Sequence, residues 1–181
     1  MITLGGELMK EYIKKVILLG DGAVGKTSLI RRFVEDEFDD DYIFTIGTKV
    51  TKKEVTVQKD GQDVLVTMMI WDILGQTDFH RTQAEAFSGA TGALLVCDLT
   101  RKETLDSLGK YWIPEFEKEA GAVPRIFLGN KADLAEKMSA EEFNSTAKGL
   151  SADALTLETS AKNGQNVAEA FEALAKQLVG A

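Results

Sequence analysis

The amino-acid sequence predicts an α/β fold: a six-stranded, mostly parallel sheet with one antiparallel edge strand and helices on both faces. Apolar runs rich in β-branched residues alternate along the chain with segments of helical periodicity, a pattern typical of parallel sheets covered by helices. A glycine-rich loop also follows the first long apolar run, at a junction between a strand and a helix. With 181 residues, the chain is long enough to bury a single core.

Six short apolar segments bounded by turn residues predict the strands. They lie near residues 13–19, 49–58, 63–71, 92–98, 125–129 and 155–157. Asp60-Gly61 separates the second segment from the third and is typical of a tight hairpin turn. We therefore expect those two strands to pair antiparallel at one edge of an otherwise parallel sheet.

Four segments between the strands and one after the last strand predict helices, over 26–36, within 77–89, and over 102–119, 139–148 and 166–179. Apolar residues recur at helical spacing in the two longest. These core stripes are Leu105, Leu108, Trp112 and Phe116, and Val167, Phe171, Leu174 and Leu178. Pro114 should kink the third helix. No linker or repeat divides residues 11–181, so we expect one domain there, preceded by an N-terminal extension over residues 1–10 that need not be native.

Composition narrows the classes of partner. A net charge of −8 argues against nucleic acid as the main ligand. Cys97 lies in an apolar run, which predicts a buried thiol and favours a reducing cytoplasm. No apolar run has the length of a membrane span. The tail after Ala175 contains no cysteine, so we expect no lipid anchor there and membrane contact only through a partner.

The first motif is Gly20–Thr27, which satisfies G-x-x-x-x-G-K-[ST] directly after a predicted strand. Its glycines allow backbone N–H groups to surround phosphates, and the following helix presents its positive end. Lys26 would reach the β- and γ-phosphates, and the Thr27 hydroxyl would bind Mg²⁺. A tight turn without a ligand is the alternative, but the match in this setting favours a P-loop NTPase.

A second motif, Asp72-x-x-Gly75, ends the third predicted strand and is followed by Gln76. It would bring a carboxylate to the metal and a flexible glycine to the γ-phosphate. On its own this motif is weak evidence for a ligand site, because an aspartate at a strand end often caps a turn. Because it follows a phosphate loop in the sequence, the interpretation as a metal and phosphate site is favoured.

The third motif, Asn130-Lys131-Ala132-Asp133, offers a carboxylate that can accept hydrogen bonds from guanine N1–H and its 2-amino group. The last predicted strand is followed by Ser160, Ala161 and Lys162, a sequence too common to indicate a binding site by itself. All of these motifs lie at the carboxyl ends of predicted strands, where open α/β sheets bind ligands. One nucleotide could therefore contact them together.

With these motifs the chain resembles the Ras superfamily of small GTPases, from about Lys14 to Leu178. The phosphate loop is similar to the Rho branch, whereas Thr45-Ile46-Gly47 and Trp71-Asp72 are similar to the Rab branch; a prokaryotic relative also fits. The resemblance implies a signalling switch that binds GTP or GDP with Mg²⁺. Hydrolysis of GTP should be slow, because no internal arginine is evident to neutralise charge.

The resemblance also implies roles for matching residues. Gln76 would position the attacking water, with Lys26 and Thr45 as further catalytic residues, and the metal residues would be Thr27, Thr45 and Asp72. The nucleotide-binding residues would be Gly22, Ala23, Val24, Gly25, Lys26, Thr27, Ser28, Phe38, Tyr42, Thr45, Gly75, Asn130, Lys131, Asp133, Ser160, Ala161 and Lys162. The chain departs from the family pattern at Phe44, at Ile73-Leu74 and at Thr77, which puts partner identity in doubt. His80 should be exposed.

Two alternatives stay open: a GTP-binding interaction module with negligible hydrolysis, and a nucleoside or nucleotide kinase. A kinase would need an acceptor site and usually a lid, for which the short loops leave little room. For the switch, we expect an exchange factor, an activating protein and effectors to bind through segments 38–48 and 73–82.

Overall fold

A computed structural model describes residues 2–4, 7–36, 48–73 and 80–181, with side chains for 9–36, 48–73 and 84–181. Within these ranges the strands are β1 (Ile2–Leu4), β2 (Glu7–Leu19), β3 (Thr48–Lys59), β4 (Gln62–Ile73), β5 (Gly92–Asp98), β6 (Arg125–Asn130) and β7 (Leu155–Glu158). The main sheet has the order β3-β4-β2-β5-β6-β7. Neighbouring strands are parallel except for the edge strand β3, which is antiparallel to β4. The predicted six-stranded mixed sheet is therefore confirmed.

The amino-terminal strand β1 was not predicted. It pairs antiparallel with the beginning of β2, which itself starts six residues before the predicted position 13. Residues 1–10 contain two adjacent glycines and no clear alternation of apolar and polar residues, so the usual sequence signal for a strand is missing there.

The hairpin between β3 and β4 forms at the predicted turn. Lys59 lies opposite Gln62, and the intervening residues have positive φ angles of 52° for Asp60 and 77° for Gly61. Such angles characterise a two-residue type I′ turn, whose twist matches that of the flanking strands. The turn therefore sets the register of the antiparallel edge.

The helices occupy the predicted gaps. Residues 102–120 form one helical stretch that contains a π-helical turn over Leu108–Trp112, so its irregularity lies just before Pro114 rather than at it. The helix predicted from residue 139 begins one residue later because Ser139 is its N-cap and accepts a hydrogen bond from the Glu142 N–H. The helices are α1 (Lys26–Glu35), α2 (His80–Phe87), α3 (Lys102–Ser107), α4 (Ile113–Ala120), α5 (Ala140–Leu150) and α6 (Val167–Val179).

The core has two layers, one on each face of the sheet. Helices α1 and α6 cover one face, where Phe33 stacks on Phe171 with ring centroids 4.0 Å apart. Helices α2 to α5 cover the other face around buried Trp112 and Phe116. Both predicted stripes are buried. Cys97 is also buried, and this burial raises the pKa of its thiol to about 12.

In the ranges described, none of the helices combines the length and the apolar character needed to cross a membrane.

Candidate nucleotide-binding site

The carboxyl ends of the parallel strands bring the predicted motifs to one edge of the sheet. The phosphate loop follows β2 and leads into α1, and Asp72 lies near the end of β4. The Asn130 motif follows β6, and Ser160 to Lys162 follow β7. Loops far apart in the sequence therefore surround one region, as the parallel topology predicts.

Two glycines allow the close approaches within the phosphate loop. Gly20 has a φ of 142°, and a side chain there would overlap the Val96 carbonyl oxygen. Gly25, with a φ of 101°, would overlap the Asn130 side-chain amide. Both positions thus need glycine for backbone conformation and for space. Gly25 also directly precedes α1, so the loop ends at the N-terminus of that helix.

Lys26 lies inside the phosphate loop. Its side chain is only 6% exposed. Its Nζ donates to the backbone oxygens of Gly20 at 2.6 Å and Asp21 at 2.9 Å. Burial lowers the pKa of the Lys26 amine to about 8, although the charges of Asp72 and Asp21 partly oppose this shift. A buried ammonium group in such a position is well suited to anionic phosphates.

Thr27 and Asp72 come together from different elements. The Thr27 hydroxyl donates to Asp72 Oδ2 at 2.5 Å, although the residues are 45 positions apart in the chain. Asp72 is buried, at 2% exposed. A hydroxyl and a carboxylate are the hard oxygen donors that Mg²⁺ prefers. The predicted metal residues Thr27 and Asp72 therefore meet in a site whose donor chemistry fits that ion.

Asn130 connects its own loop to the phosphate loop and to the loop after β7. Its Nδ2 donates to the Val24 carbonyl at 2.9 Å, in the phosphate loop. Its Oδ1 accepts from the Thr159 hydroxyl and the Ala161 N–H, both at 3.3 Å. The side chain is 2% exposed, so its contacts belong to the framework of the site.

Asp133 is exposed and its position is set by the last loop. The Ser160 hydroxyl donates to Asp133 Oδ1 at 2.5 Å, and the Asn163 N–H donates to Ser160 Oγ at 3.3 Å. The carboxylate is thus oriented by a neighbouring loop and open to a ligand.

Arg32 was missed by the sequence analysis. It projects from α1, where Nε donates to the Ala161 carbonyl at 2.8 Å and Nη2 to the Lys162 carbonyl at 2.7 Å. Arg32 therefore supports the last loop from outside the predicted motifs. Only its place on the helix that follows the phosphate loop could have suggested such a contact.

A contact between the phosphate loop and the helical stretch over residues 102–120 was also missed. Asp21 Oδ1 accepts from Ser107 Oγ and from Trp112 Nε1, both at 2.7 Å. Trp112 was predicted as a core residue, and it is one, but its indole N–H also holds the phosphate loop.

Asp98, at the end of β5, is a further residue of the site that the motifs did not include. It is 1% exposed. Its Oδ2 lies 2.6 Å from Lys131 Nζ and accepts from Arg101 Nε at 3.0 Å. Burial alone would raise the pKa of this carboxyl, but hydrogen bonds from Lys131, Thr100 and Arg101 outweigh it and lower the pKa. Its position at the carboxyl edge of a predicted strand was the available signal.

Five predicted site residues lie outside the described residues, and their roles stay predictions, as do the ligand-binding roles of the residues described above. They are Phe38, Tyr42, Thr45, Gly75 and Gln76. The family departures Phe44 and Thr77 also lie outside, as does the side chain of His80.

The order of the strands, the glycine-rich loop after β2, buried Lys26 and the Thr27–Asp72 pair define a class, the P-loop nucleotide-binding α/β proteins. Comparison with known proteins narrows this class. The model of the Ras family matches residues 15–180. The chain belongs to the Ras family.

Curated relatives agree with this assignment over most of the chain. Ras-related protein Rab-8B from Homo sapiens is 37% identical over 170 residues, covering 93% of this chain and 80% of the relative. Ras-related protein Rab-8 from Diplobatis ommata is 38% identical over 170 residues, covering 93% and 79%. GTP-binding protein YPTM2 from Zea mays is 39% identical over 173 residues, covering 93% and 81%.

Family membership confirms the predicted activity. The protein is a GTP-binding molecular switch with GTPase activity, and it binds GTP or GDP with Mg²⁺. Like the family in general, it acts with regulators or effectors. No finding favours the interaction module without hydrolysis, and membership of this family argues against the kinase alternative.

Proposed function

We propose that residues 11–181 form one guanine-nucleotide-binding domain, with residues 1–10 as an extension. The loops at the carboxyl ends of its parallel strands would hold the nucleotide. The observation that carries this proposal is the position of Asn130. Its side chain bonds both Val24 in the phosphate loop and Ala161 in the last loop. Loops that would contact phosphate and base are thereby joined around one site.

The phosphates would lie against residues 22–28, which comprise the end of the phosphate loop and the first, positive turn of α1. Lys26 Nζ would exchange its backbone acceptors Gly20 and Asp21 for phosphate oxygens. Thr27 and Asp72, with Thr45, would hold Mg²⁺, which supplies positive charge to the triphosphate when bound.

The base would lie between the last two loops. The exposed Asp133 carboxylate would accept from guanine N1–H and its 2-amino group, and Ser160 already orients it. Lys131, Ala161, Lys162 and the aromatic Phe38 would surround the base, with Tyr42 over the phosphates.

Hydrolysis would proceed by in-line attack of water on the γ-phosphorus. The bond from phosphorus to the β–γ bridging oxygen breaks, which yields GDP and inorganic phosphate. Gln76 would orient the water, Gly75 would contact the γ-phosphate, and Lys26 would neutralise charge on the transferred group. The turnover should be slow without an activating partner.

Segments 38–48 and 73–82 would change with the γ-phosphate and bind the exchange factor, the activating protein and effectors. We place the protein in the cytoplasm, where its attachment to a membrane would be peripheral and through a partner. Nucleic acid is not among the proposed ligands.

Asp133→Asn tests the assignment of the base. The amide presents a donor where guanine also presents donors, so GTP affinity should fall by at least about tenfold. Titration calorimetry would compare this variant with Asp153→Asn, which makes the same change at an exposed residue before β7. Equal GTP affinity in Asp133→Asn and the parent protein would contradict the proposed base site.

A further inference from the structure

The buried carboxylate of Asp98 connects two subsites that sequence motifs treat separately. Through Oδ2 it contacts Lys131 of the guanine loop and Arg101, while Oδ1 accepts from the backbone N–H and hydroxyl of Thr100. A buried charge is costly unless it is paired and hydrogen-bonded. Asp98 has this full set of partners, and one of them belongs to the proposed base site.

Arg101 carries the connection to the phosphate loop. While its Nε donates to Asp98, its Nη2 donates to the Gly22 carbonyl at 3.0 Å. The planar guanidinium group presents donors in a fixed fork. Placing one donor on Asp98 therefore fixes where the other meets the loop.

The Gly22 carbonyl is a sensitive point of the loop because its peptide group includes the Ala23 N–H. In a trans peptide these two groups point in opposite directions. A Gly22 carbonyl that accepts from Arg101 therefore directs the Ala23 N–H away from Arg101. Backbone N–H groups turned inward are what a phosphate loop offers its ligand.

Strained backbone adjoins both ends of this network. Ala23 has a φ of 61° and Lys131 a φ of 67°. Neither residue is glycine, and the left-handed region costs free energy for residues with a side chain. Strain of this kind persists only where the surroundings enforce it. Arg101 acts next to the first residue, and Asp98 binds the side chain of the second.

We propose that Asp98 and Arg101 are positioning residues for nucleotide binding, in which one buried carboxylate holds the phosphate loop through Arg101 and the guanine loop through Lys131. This inference rests on the proposed function, since it assumes that both loops contact the nucleotide. Loss of the network should release the nucleotide faster without unfolding the protein.

Arg101→Gln and Arg101→Lys test the contact with Gly22. Both remove the guanidinium fork at a side chain that is 37% exposed, so folding should survive. Release of a fluorescent GDP should accelerate by about tenfold in both variants, as expected for the loss of a charge-assisted hydrogen bond. The relative affinity for GDP over inosine diphosphate, which lacks only the 2-amino group, should stay within about twofold.

Arg125→Gln is the matched control. Arg125 also pairs with a carboxylate, Glu117, but it lies at the first residue of β6, at the opposite end of the strand from Asn130. It should leave GDP release unchanged. GDP release from both Arg101 variants at the parent rate would overturn the proposal, as would equal acceleration in Arg125→Gln.

Asp98→Asn tests the shared anchor. It should accelerate GDP release and also reduce the preference for GDP over inosine diphosphate, because Lys131 loses its partner too. In the Asp98→Asn background, Arg101→Gln should accelerate GDP release by less than about twofold more, since Arg101 has already lost the Asp98 carboxylate that holds it. Fully additive effects would overturn the coupling. If Asp98→Asn does not fold, the Arg101 variants still decide the contact with Gly22.

Asp133→Asn in the same set of variants separates this inference from the proposed function. If Asp133→Asn keeps full affinity for guanine nucleotides, the proposed base site fails. If Asp133→Asn loses that affinity while the Arg101 variants release GDP at the parent rate, only the role of Asp98 and Arg101 fails.

Discussion

At the scale of single residues, Lys26 shows how burial links the protonation of a side chain to the binding of its ligand. Its amine is enclosed by backbone oxygens, and burial lowers its pKa to about 8. A phosphate group beside the amine would favour the ammonium form and raise this pKa. Binding of GDP should therefore take up a proton when the pH lies between the two pKa values.

The direction of the pH dependence follows from these two states. The contribution of the Lys26 charge to GDP affinity is complete below about pH 8 and is lost as the pH rises from there towards the pKa of the bound state. Above pH 8, affinity should fall by up to about tenfold per pH unit. Calorimetry in buffers of different ionisation enthalpy would measure both affinity and proton uptake.

Lys26→Arg supplies the control, because a guanidinium group stays protonated throughout this pH range. Its GDP affinity should vary less with pH than that of the parent. An affinity that does not change between about pH 7 and about pH 9.5, without proton uptake, would contradict the lowered pKa of the Lys26 amine in the unliganded protein.

At the scale of elements, the stretch from α3 to α4 shows what local patterns can predict. The stripe of apolar residues gave the helix and its buried face, because those features depend on spacing alone. The π-helical turn over Leu108–Trp112 was not predicted, since the same spacing suits a regular α-helix. Ser107 and Trp112, five positions apart, would be separated by about 140° on a regular helix. Here both contact one carboxylate oxygen of Asp21.

Trp112→Phe tests whether this turn stabilises the phosphate loop. Phenylalanine retains most of the apolar packing but lacks the indole N–H, which leaves Asp21 with one donor fewer. The free energy of unfolding should fall by about 1–2 kcal/mol. Urea unfolding of the GDP-bound protein would measure it. In the Asp21→Ala background the same substitution should cost less, because the acceptor is already absent. An equal cost in both backgrounds would assign the effect to packing alone.

At the scale of the whole molecule, the topology was the most predictable feature. Alternating strands and helices, together with the Asp60-Gly61 turn, were enough to place the motif loops at one edge of the sheet. The supporting contacts of Arg32, Asp98 and Arg101 could not be predicted, because each joins a side chain to a loop that is distant in sequence. A single motif does not show which distant residues it will contact. Strand β1 was not predicted for a different reason, because its own residues carry only a weak sequence signal for a strand.

The family resemblance also predicts where the molecule should respond to its nucleotide. Thr45 and Gly75, in the proposed switch segments, would contact a γ-phosphate only when one is present, and loops held by such contacts order and relax as it comes and goes. Hydrogen exchange in segments 38–48 and 73–82 should therefore be slower with a non-hydrolysable GTP analogue than with GDP.

Helix α6 is the internal reference for that comparison. Its buried stripe packs against the sheet, on the same face as α1, and its residues are not among the predicted nucleotide contacts. Exchange in Val167–Val179 should be the same with GDP and with the analogue. If the two proposed switch segments also exchange equally in both forms, the segments that sense the γ-phosphate lie elsewhere in this GTPase. If α6 changes together with them, the response is a general change in stability, because a local switch would leave the distant core unaffected.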